Sequence, residues 1–235
     1  MPLRKPQLVV ALDVPSSDEI PRIVAALPDE VLWYKIGLEL FTSEGPAVLA
    51  PLASHGKKIF LDLKFHDIPR TVARAVVSAS RHGVSLLTVH AGGGREMLKA
   101  AADAARDAGP SAPAIVAVTT LTSLNEKDLA EMDVARPLAE HTLSLGEMAI
   151  SAGIDGLVCS PLEAAAFRDR LGEKPILVTP GIRPAGADSG DQKRFATPVS
   201  AIRAGADFLV VGRPILEAPD RRKAAYFILA QMANV

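Results

Sequence analysis

Cysteine is nearly missing from this 235-residue chain: Cys159 stands alone, which excludes disulfides and cysteine-built structural zinc clusters. That usage fits a reducing compartment. No apolar run approaches the ~18 residues that a bilayer-spanning helix needs. The opening Met-Pro-Leu-Arg-Lys-Pro-Gln is basic, but the apolar stretch behind it, Leu8 to Leu12, stops at Asp13 and is too short for a secretory signal core. The expected location is the cytoplasm. An excess of either charge is also lacking, since 26 basic against 27 acidic residues leave a formal net charge of -1. Nothing in that balance attracts nucleic acid or an anionic membrane in general, so neither is an expected partner and any basic site must be local. Linkers, low-complexity tracts and close repeats are missing as well. What remains is an ordinary globular composition, 49% hydrophobic and 23% charged. One catalytic domain over residues 1–235 is expected if the fold is an α/β barrel, because such barrels run to ~200–250 residues without splitting.

Eight β-type runs recur along the chain: LVVALD (8–13), VLWYKIG (31–37), KIFLDLK (58–64), LLTVH (86–90), AIVAVTT (114–120), GLVCS (156–160), ILVTP (176–180) and FLVVG (208–212). Several are nearly continuous in Val, Ile and Leu, as strands buried on both faces of a parallel sheet are. Helical spacing fills the intervals. Ser16 to Glu19 and Ser123 to Glu126 read as capping boxes, the first opening a helix near 17–27. Glu96 to Ala108 and Leu138 to Ala152 are good helix formers stopped by Gly109 and Gly153. Strand then helix, eight times over, predicts an α/β fold of the (β/α)8 barrel type. An open doubly wound sheet is the alternative, disfavoured because no Gly-x-Gly-x-x-Gly follows the first strand.

The strands finish in polar or ionisable groups: Asp13, Lys35, Asp62 with Lys64, His90, Thr119 with Thr120, Ser160 and Thr179. In a barrel this is the end where reactive groups collect. Asp13, Lys35, Asp62 and Lys64 come from three consecutive strands, so closure would set them side by side with alternating sign. The densest segment is FLDLKFHDIPRT, Phe60 to Thr71, in which Asp62 and Lys64 sit two residues apart, on one strand face and about 7 Å apart. Such charges drawn partly out of water are costly unless paired, which points to use rather than to structure. Asp67 is open to a second account as the N-cap of the helix from Thr71. His66 and His90 lack any HxH or HxxxH spacing, so hydrogen-bonded histidines are expected rather than metal ligands. Cys159 reads as a small buried residue.

A second site signal follows strands seven and eight. Thr179 to Pro184 leads into Ala185 to Arg194, a polar stretch with the length of a lid. Strand eight ends Val211-Gly212-Arg213-Pro214 at an expected helix start, where free amides favour an anion such as phosphate. The alternatives are a plain turn at Gly212 and a solvated surface arginine at 213. Gly92-Gly93-Gly94 reads as a tight βα turn. These residues together describe a phosphorylated small-molecule ligand above a Lys/Asp cluster. The lysine could form a Schiff base or donate a proton to a carbanion, and flanking carboxylates favour the ammonium donor.

At FLDLKFHDIP, VTPGIRPAGADSGDQKR and ATPVSAIRAGADFLVVGRPI the chain resembles the orotidine 5'-phosphate decarboxylase family of TIM barrels, from Asp13 to about Ile215. The resemblance implies loss of carbon dioxide from orotidine 5'-phosphate to give uridine 5'-phosphate, the last step of de novo pyrimidine nucleotide synthesis, with no metal or organic cofactor. By the same motifs Lys64 is the proton donor to C6 of the pyrimidine, Asp62 lies beside the departing carboxylate, and Lys35 links Asp13 with Asp62 while reaching the ribose, as Asp13 does. Asp67 and Thr71 resemble residues that enter the neighbouring subunit's site, which implies a homodimer, with Ile68 beside them among the substrate contacts. Thr122 with Ser123 resembles the segment that meets the pyrimidine, and Gln192 the lid residue between base and phosphate. Arg183, Gly212 and Arg213 match the phosphate end, and Pro180 is among the substrate contacts. One departure is Arg70, where the family pattern more often has Asn.

Two rivals share these features. Magnesium-dependent sugar-phosphate barrels, the keto-gulonate phosphate decarboxylases and hexulose phosphate synthases, carry the same Asp-x-Lys-x-x-Asp segment, but Gln192 within GDQKR suits a nucleotide base. A binding barrel without catalysis would leave the charged cluster costing stability without use.

Overall fold

The eight apolar runs close on themselves. In the computed structural model, which describes residues 5–184 and 196–235, strands β1 (Gln7–Ala11), β2 (Trp33–Ile36), β3 (Lys58–Phe65), β4 (Val84–His90), β5 (Ala114–Val118), β6 (Gly156–Val158), β7 (Ile176–Thr179) and β8 (Phe208–Val211) pair in chain order, all parallel. β8 returns to β1 through Gln7↔Phe208 to Val10↔Val211. The barrel is therefore closed, and the open-sheet alternative is set aside.

Alternation along each strand divides the core in two. Val9, Ala11, Trp33, Phe60, Leu86, Val116, Val178, Phe208 and Val210 fill the interior of the barrel. Their neighbours Val10, Tyr34, Ile36, Leu61, Leu87, Ile115, Leu157 and Leu209 pack outward into the helical layer, as expected of strands covered on both faces. At the floor Trp33 and Phe208 meet edge to face at 4.9 Å, and the Lys58 ammonium lies 5.2 Å from the indole centre, a favourable cation–π distance. Gly156 is where the wall is tightest. A Cβ there would fall 2.2 Å from the Ile176 carbonyl oxygen on β7, so only glycine lets the two strands approach.

Around this wall run α1 (Ile20–Ala26), α2 (Leu38–Glu44), α3 (Ala50–Ser54), α4 (Pro69–Ser80), α5 (Gly94–Asp107), α6 (Glu126–Glu131), α7 (Leu138–Ser151), α8 (Ala164–Leu171), α9 (Pro198–Arg203), α10 (Arg213–Leu216) and α11 (Arg221–Ala233). Gly109 and Gly153, both at positive φ, end α5 and α7 as expected. Neither capping box forms as read. Ser16 caps only the Asp18 amide, and a short 3₁₀ turn at Ser17–Glu19 precedes α1. The Ser17 amide and hydroxyl instead bind the Glu44 carboxylate from 27 residues away, holding it below its usual carboxylate pKa. The second box sits two residues later, where Asn125 accepts from Asp128 N and Asp128 accepts from Asn125 N.

Below the floor a buried arginine ties a helix to two strands. From α8, Arg168 donates to the Gly205 carbonyl, to Asp207 Oδ2 at 2.8 Å and to the Pro175 carbonyl at 2.8 Å. Asp207 Oδ2 also accepts from the Leu177 amide of β7. The opposite end, where the strands finish, is left open for the site.

Candidate active site

The carboxyl ends of the strands surround a cavity of about 290 Å³, close to the small end of the ~300–1,000 Å³ range of small-molecule pockets. Asp13 follows β1, Lys35 stands on β2, and Asp62 and Lys64 stand on β3; all four line it. They form one chain of alternating charge. Lys35 Nζ lies 3.1 Å from Asp13 Oδ1 and 3.7 Å from Asp62 Oδ2, and Lys64 Nζ lies 2.9 Å from Asp62 Oδ1. Each Asp62 oxygen thus faces its own ammonium. Lys35 and Asp62 are withdrawn from water, with side-chain exposures of 12% and 15%, whereas Asp13 at 58% is a rim residue. The charge row is as expected from strand order, and its burial is uneven along the row.

Lys64 does not continue the pleat from Asp62. Its φ is +50°, a left-handed conformation that costs a lysine about 1–3 kcal/mol and is characteristic of functional sites. The β3–β4 register shows why. Leu61 pairs with Leu87 and Phe65 with Val89, so Asp62, Leu63 and Lys64 oppose Thr88 alone. This bulge corrects the plain two-residue spacing, and bulges commonly re-aim a side chain beside an active site. Thr88, fully buried, accepts from Lys64 N at 2.8 Å and donates to Asp62 Oδ1 at 3.1 Å.

Two further groups, Gly37 and Thr88, were missed by reading the sequence. Gly37, just past β2, stands so near the cluster that a Cβ would lie 3.1 Å from Lys35 Nζ and 3.7 Å from Asp13 Oδ1. Gly212 spares Asp13 on its other side, where a Cβ would lie 3.4 Å from Oδ2. A strand-ending glycine leaves no chemical signature in sequence, whereas Thr88 could have been noticed as a hydroxyl inside the apolar run LLTVH.

Thr122, Pro180, Arg183, Gly212 and Arg213 also line the cavity, opposite the β3 bulge. Arg183 is buried and donates to the Ile182 carbonyl; Arg213 opens α10, a helix of only four residues. Ser123, Asp67, Ile68 and Thr71 do not line it. Asp67 does not cap α4 either: the N-cap is Ile68, and among the described residues the Asp67 carboxylate accepts from the adjacent Ile68 amide at 2.7 Å. Asp67, Ile68 and Thr71 are exposed together on the surface of the single chain. Gln192 lies outside the described residues.

His66 and His90 stack at 5.1 Å, and His90 Nδ1 accepts from the Gly92 amide at 3.0 Å. The triple glycine is accordingly a βα turn, a 3₁₀ segment over Ala91–Gly93 leading into α5. Burial first, then the charges of His66 and Lys64, push the His90 pKa below its usual value. Cys159 is buried, as its surroundings predicted. No group of three potential metal ligands occurs among the described residues, and none of their helices is long and apolar enough to cross a membrane.

Comparison with known proteins places residues 6–227 within the model of the orotidine 5'-phosphate decarboxylase / HUMPS family. An orotidine 5'-phosphate decarboxylase of Nostoc sp. is 47% identical over 234 residues, covering 97% of this chain and 98% of the relative. One from Anaeromyxobacter sp. (strain K) is 49% identical over 224 residues, covering 95% and 97%. Among solved structures, the decarboxylase from Lactobacillus acidophilus superimposes with a TM-score of 0.86 at 39% identity, covering 97% of this chain and 99% of its own. That from Pyrococcus horikoshii OT3 gives 0.78 at 26% identity, covering 97% and 100%.

Proposed function

The chain belongs to the orotidine 5'-phosphate decarboxylase / HUMPS family, and from that premise we propose that it converts orotidine 5'-phosphate to uridine 5'-phosphate and carbon dioxide, the last step of de novo pyrimidine nucleotide synthesis. The observation that carries this reading is the Asp13–Lys35–Asp62–Lys64 row on the cavity wall. The C6–carboxylate bond breaks, carbon dioxide departs, and the electron pair stays on C6 of the pyrimidine. The Lys64 ammonium stabilises that pair as it develops and then transfers a proton to it. Asp62 holds the Lys64 ammonium in place beside the departing carboxylate. Lys35 holds the two aspartates apart in charge and, with Asp13 at the rim, reaches the ribose. No metal or organic cofactor takes part in this scheme.

Thr122, with Ser123 next to it in the chain, is assigned to the pyrimidine, Arg183, Gly212 and Arg213 to the phosphate, and Pro180 to the substrate contacts. Gln192 is assigned to the span between base and phosphate. Binding energy from the phosphate end then supports the chemistry at C6, remote contacts being spent on orienting the charged row. The exposed Asp67, Ile68 and Thr71 do not reach the cavity of their own chain, so we assign them to a twofold dimer in which they complete the partner's site. The enzyme is assigned to the cytoplasm, as one catalytic barrel over residues 1–235.

The sugar-phosphate branch of the same family is the second reading, and relatives at 47–49% identity named as decarboxylases of orotidine 5'-phosphate weigh against it. The test is the ultraviolet change on mixing the protein with orotidine 5'-phosphate in excess EDTA, with Lys64→Ala alongside. Wild-type turnover is expected, with kcat of the variant lower by at least about 10²–10⁴-fold, the usual contribution of a positioned general acid. Turnover only with added magnesium, or an active variant, would overturn the scheme.

A further inference from the structure

The scheme above uses Lys64 and Asp62 and leaves unassigned the residue facing them across the sheet. In a regular parallel ladder the Lys64 amide would meet a backbone carbonyl of β4. The bulge removes it from that ladder, three residues of β3 standing against Thr88 alone, and the Thr88 hydroxyl takes the amide at 2.8 Å. The same hydroxyl donates its proton at 3.1 Å to Asp62 Oδ1, the oxygen that the Lys64 ammonium also meets at 2.9 Å. A hydroxyl has one proton and two lone pairs, so both bonds form together. The result is a closed ring: Thr88 Oγ1 to the Lys64 backbone, out along its side chain to Asp62, and back to Thr88.

We propose that Thr88 is a positioning residue for decarboxylation, holding the bulge that gives Lys64 its left-handed backbone and fixing the Asp62 oxygen against which the ammonium is aimed. Packing does not call for a hydroxyl here. Thr88 lies fully buried on the inward face of β4, between the interior residue Leu86 and His90, with Val116 as its partner on β5. Valine has nearly the same shape and would fill that space with less cost of burying a polar group. The hydroxyl is explained by its two partners, and both belong to the reacting pair. Since the ammonium does its work as charge develops at C6, while ribose and phosphate contacts lie elsewhere, a misplaced Lys64 lowers kcat and spares KM.

This inference rests on the proposed role of Lys64, and its test separates the two. Wild type, Thr88→Val and Thr88→Ser are compared in steady-state turnover of orotidine 5'-phosphate, with uridine 5'-phosphate affinity by titration calorimetry and folding by thermal melting. Thr88→Val should lose about 10²-fold in kcat, the scale of a misplacement near 1 Å. Its KM and its affinity for uridine 5'-phosphate should change by less than about 3-fold, as for a loss confined to the transition state. Thr88→Ser should recover kcat to within about 5-fold of wild type, because it restores both hydrogen bonds. Should the Val variant not fold, Thr88→Ala makes the same comparison with Ser. A wild-type kcat in the variant without the hydroxyl, a loss expressed in KM alone, or a Ser variant as slow as Val each overturns the role of Thr88. A wild-type protein inactive on orotidine 5'-phosphate overturns the function itself, and this role with it.

Discussion

Arg168→Ala should unfold far more easily than the wild type while keeping its activity. The side chain is almost fully buried and donates to three carbonyls, those of Gly172, Gly205 and Pro175, as well as to Asp207 at 2.8 Å. Truncation leaves Asp207 buried with the Leu177 amide still bonded to it, and breaking a buried pair in this one-sided way costs about 3–5 kcal/mol. For a chain of this size each kcal/mol moves the melting temperature by ~2–4 °C, so a fall of roughly 6–20 °C is expected. Arg170→Ala is the control. Its pair with Glu147 has the same 2.8 Å separation but lies in solvent, where ion pairs contribute at most about 1 kcal/mol. Calorimetry of the three proteins would decide between distance and burial as the quantity that matters. A fall of less than about 3 °C for Arg168→Ala, or equal falls for the two variants, would refute the reasoning. Turnover at 25 °C should stay within about twofold of wild type, since the clasp lies below the floor and touches no cavity residue; a larger loss would mean that the floor is coupled to the site.

The dimer proposal gives Ile68, 68% exposed in the single chain, an apolar partner. Ile68→Glu removes two such burials per dimer, each worth about 1.5–3 kcal/mol, and should weaken dimerisation roughly 10²–10⁴-fold in a sedimentation dilution series; an unchanged dissociation constant would place the interface elsewhere. His90 supplies a pH dependence whose sign is set by its depressed pKa. Below about 6.5 the unfolded chain takes up the proton before the folded chain does, so stability falls as pH falls from there toward the lower folded-state pKa. Urea unfolding at pH 7.5 and 5.5 should show a smaller loss for His90→Asn than for wild type, and equal losses would sink the assignment.

The barrel was legible because its information is local and repeated. Strands such as FLVVG and AIVAVTT are buried on both faces and so remain apolar without alternation, and helices between strands such as α5 and α7 carry their own glycine stops. Cap chemistry was less legible, since a serine or asparagine near a helix start can bond several nearby groups. Ser17 is taken by Glu44, distant in sequence, and Asn125 outcompetes Ser123 two residues upstream.

In the site, residue types were readable and backbone path was not. Asp13, Lys35, Asp62 and Lys64 stand out because four charges at the ends of apolar strands have no cheap structural explanation, and closure of the barrel brings them together in sequence order. The period-two rule, however, places Asp62 and Lys64 on one regular face, and the register with β4 breaks that rule between Leu61 and Phe65. A bulge is a property of two strands: it exists only when Leu61 pairs with Leu87 and Phe65 with Val89, and neither pairing is written in FLDLKF. The same holds for Thr88, a fair strand residue on its own, whose meaning appears only when its hydroxyl meets an amide and a carboxylate delivered by the strand beside it. Reactive groups can therefore be found from composition and spacing along one strand. The groups that aim them become visible only when neighbouring strands are set in register.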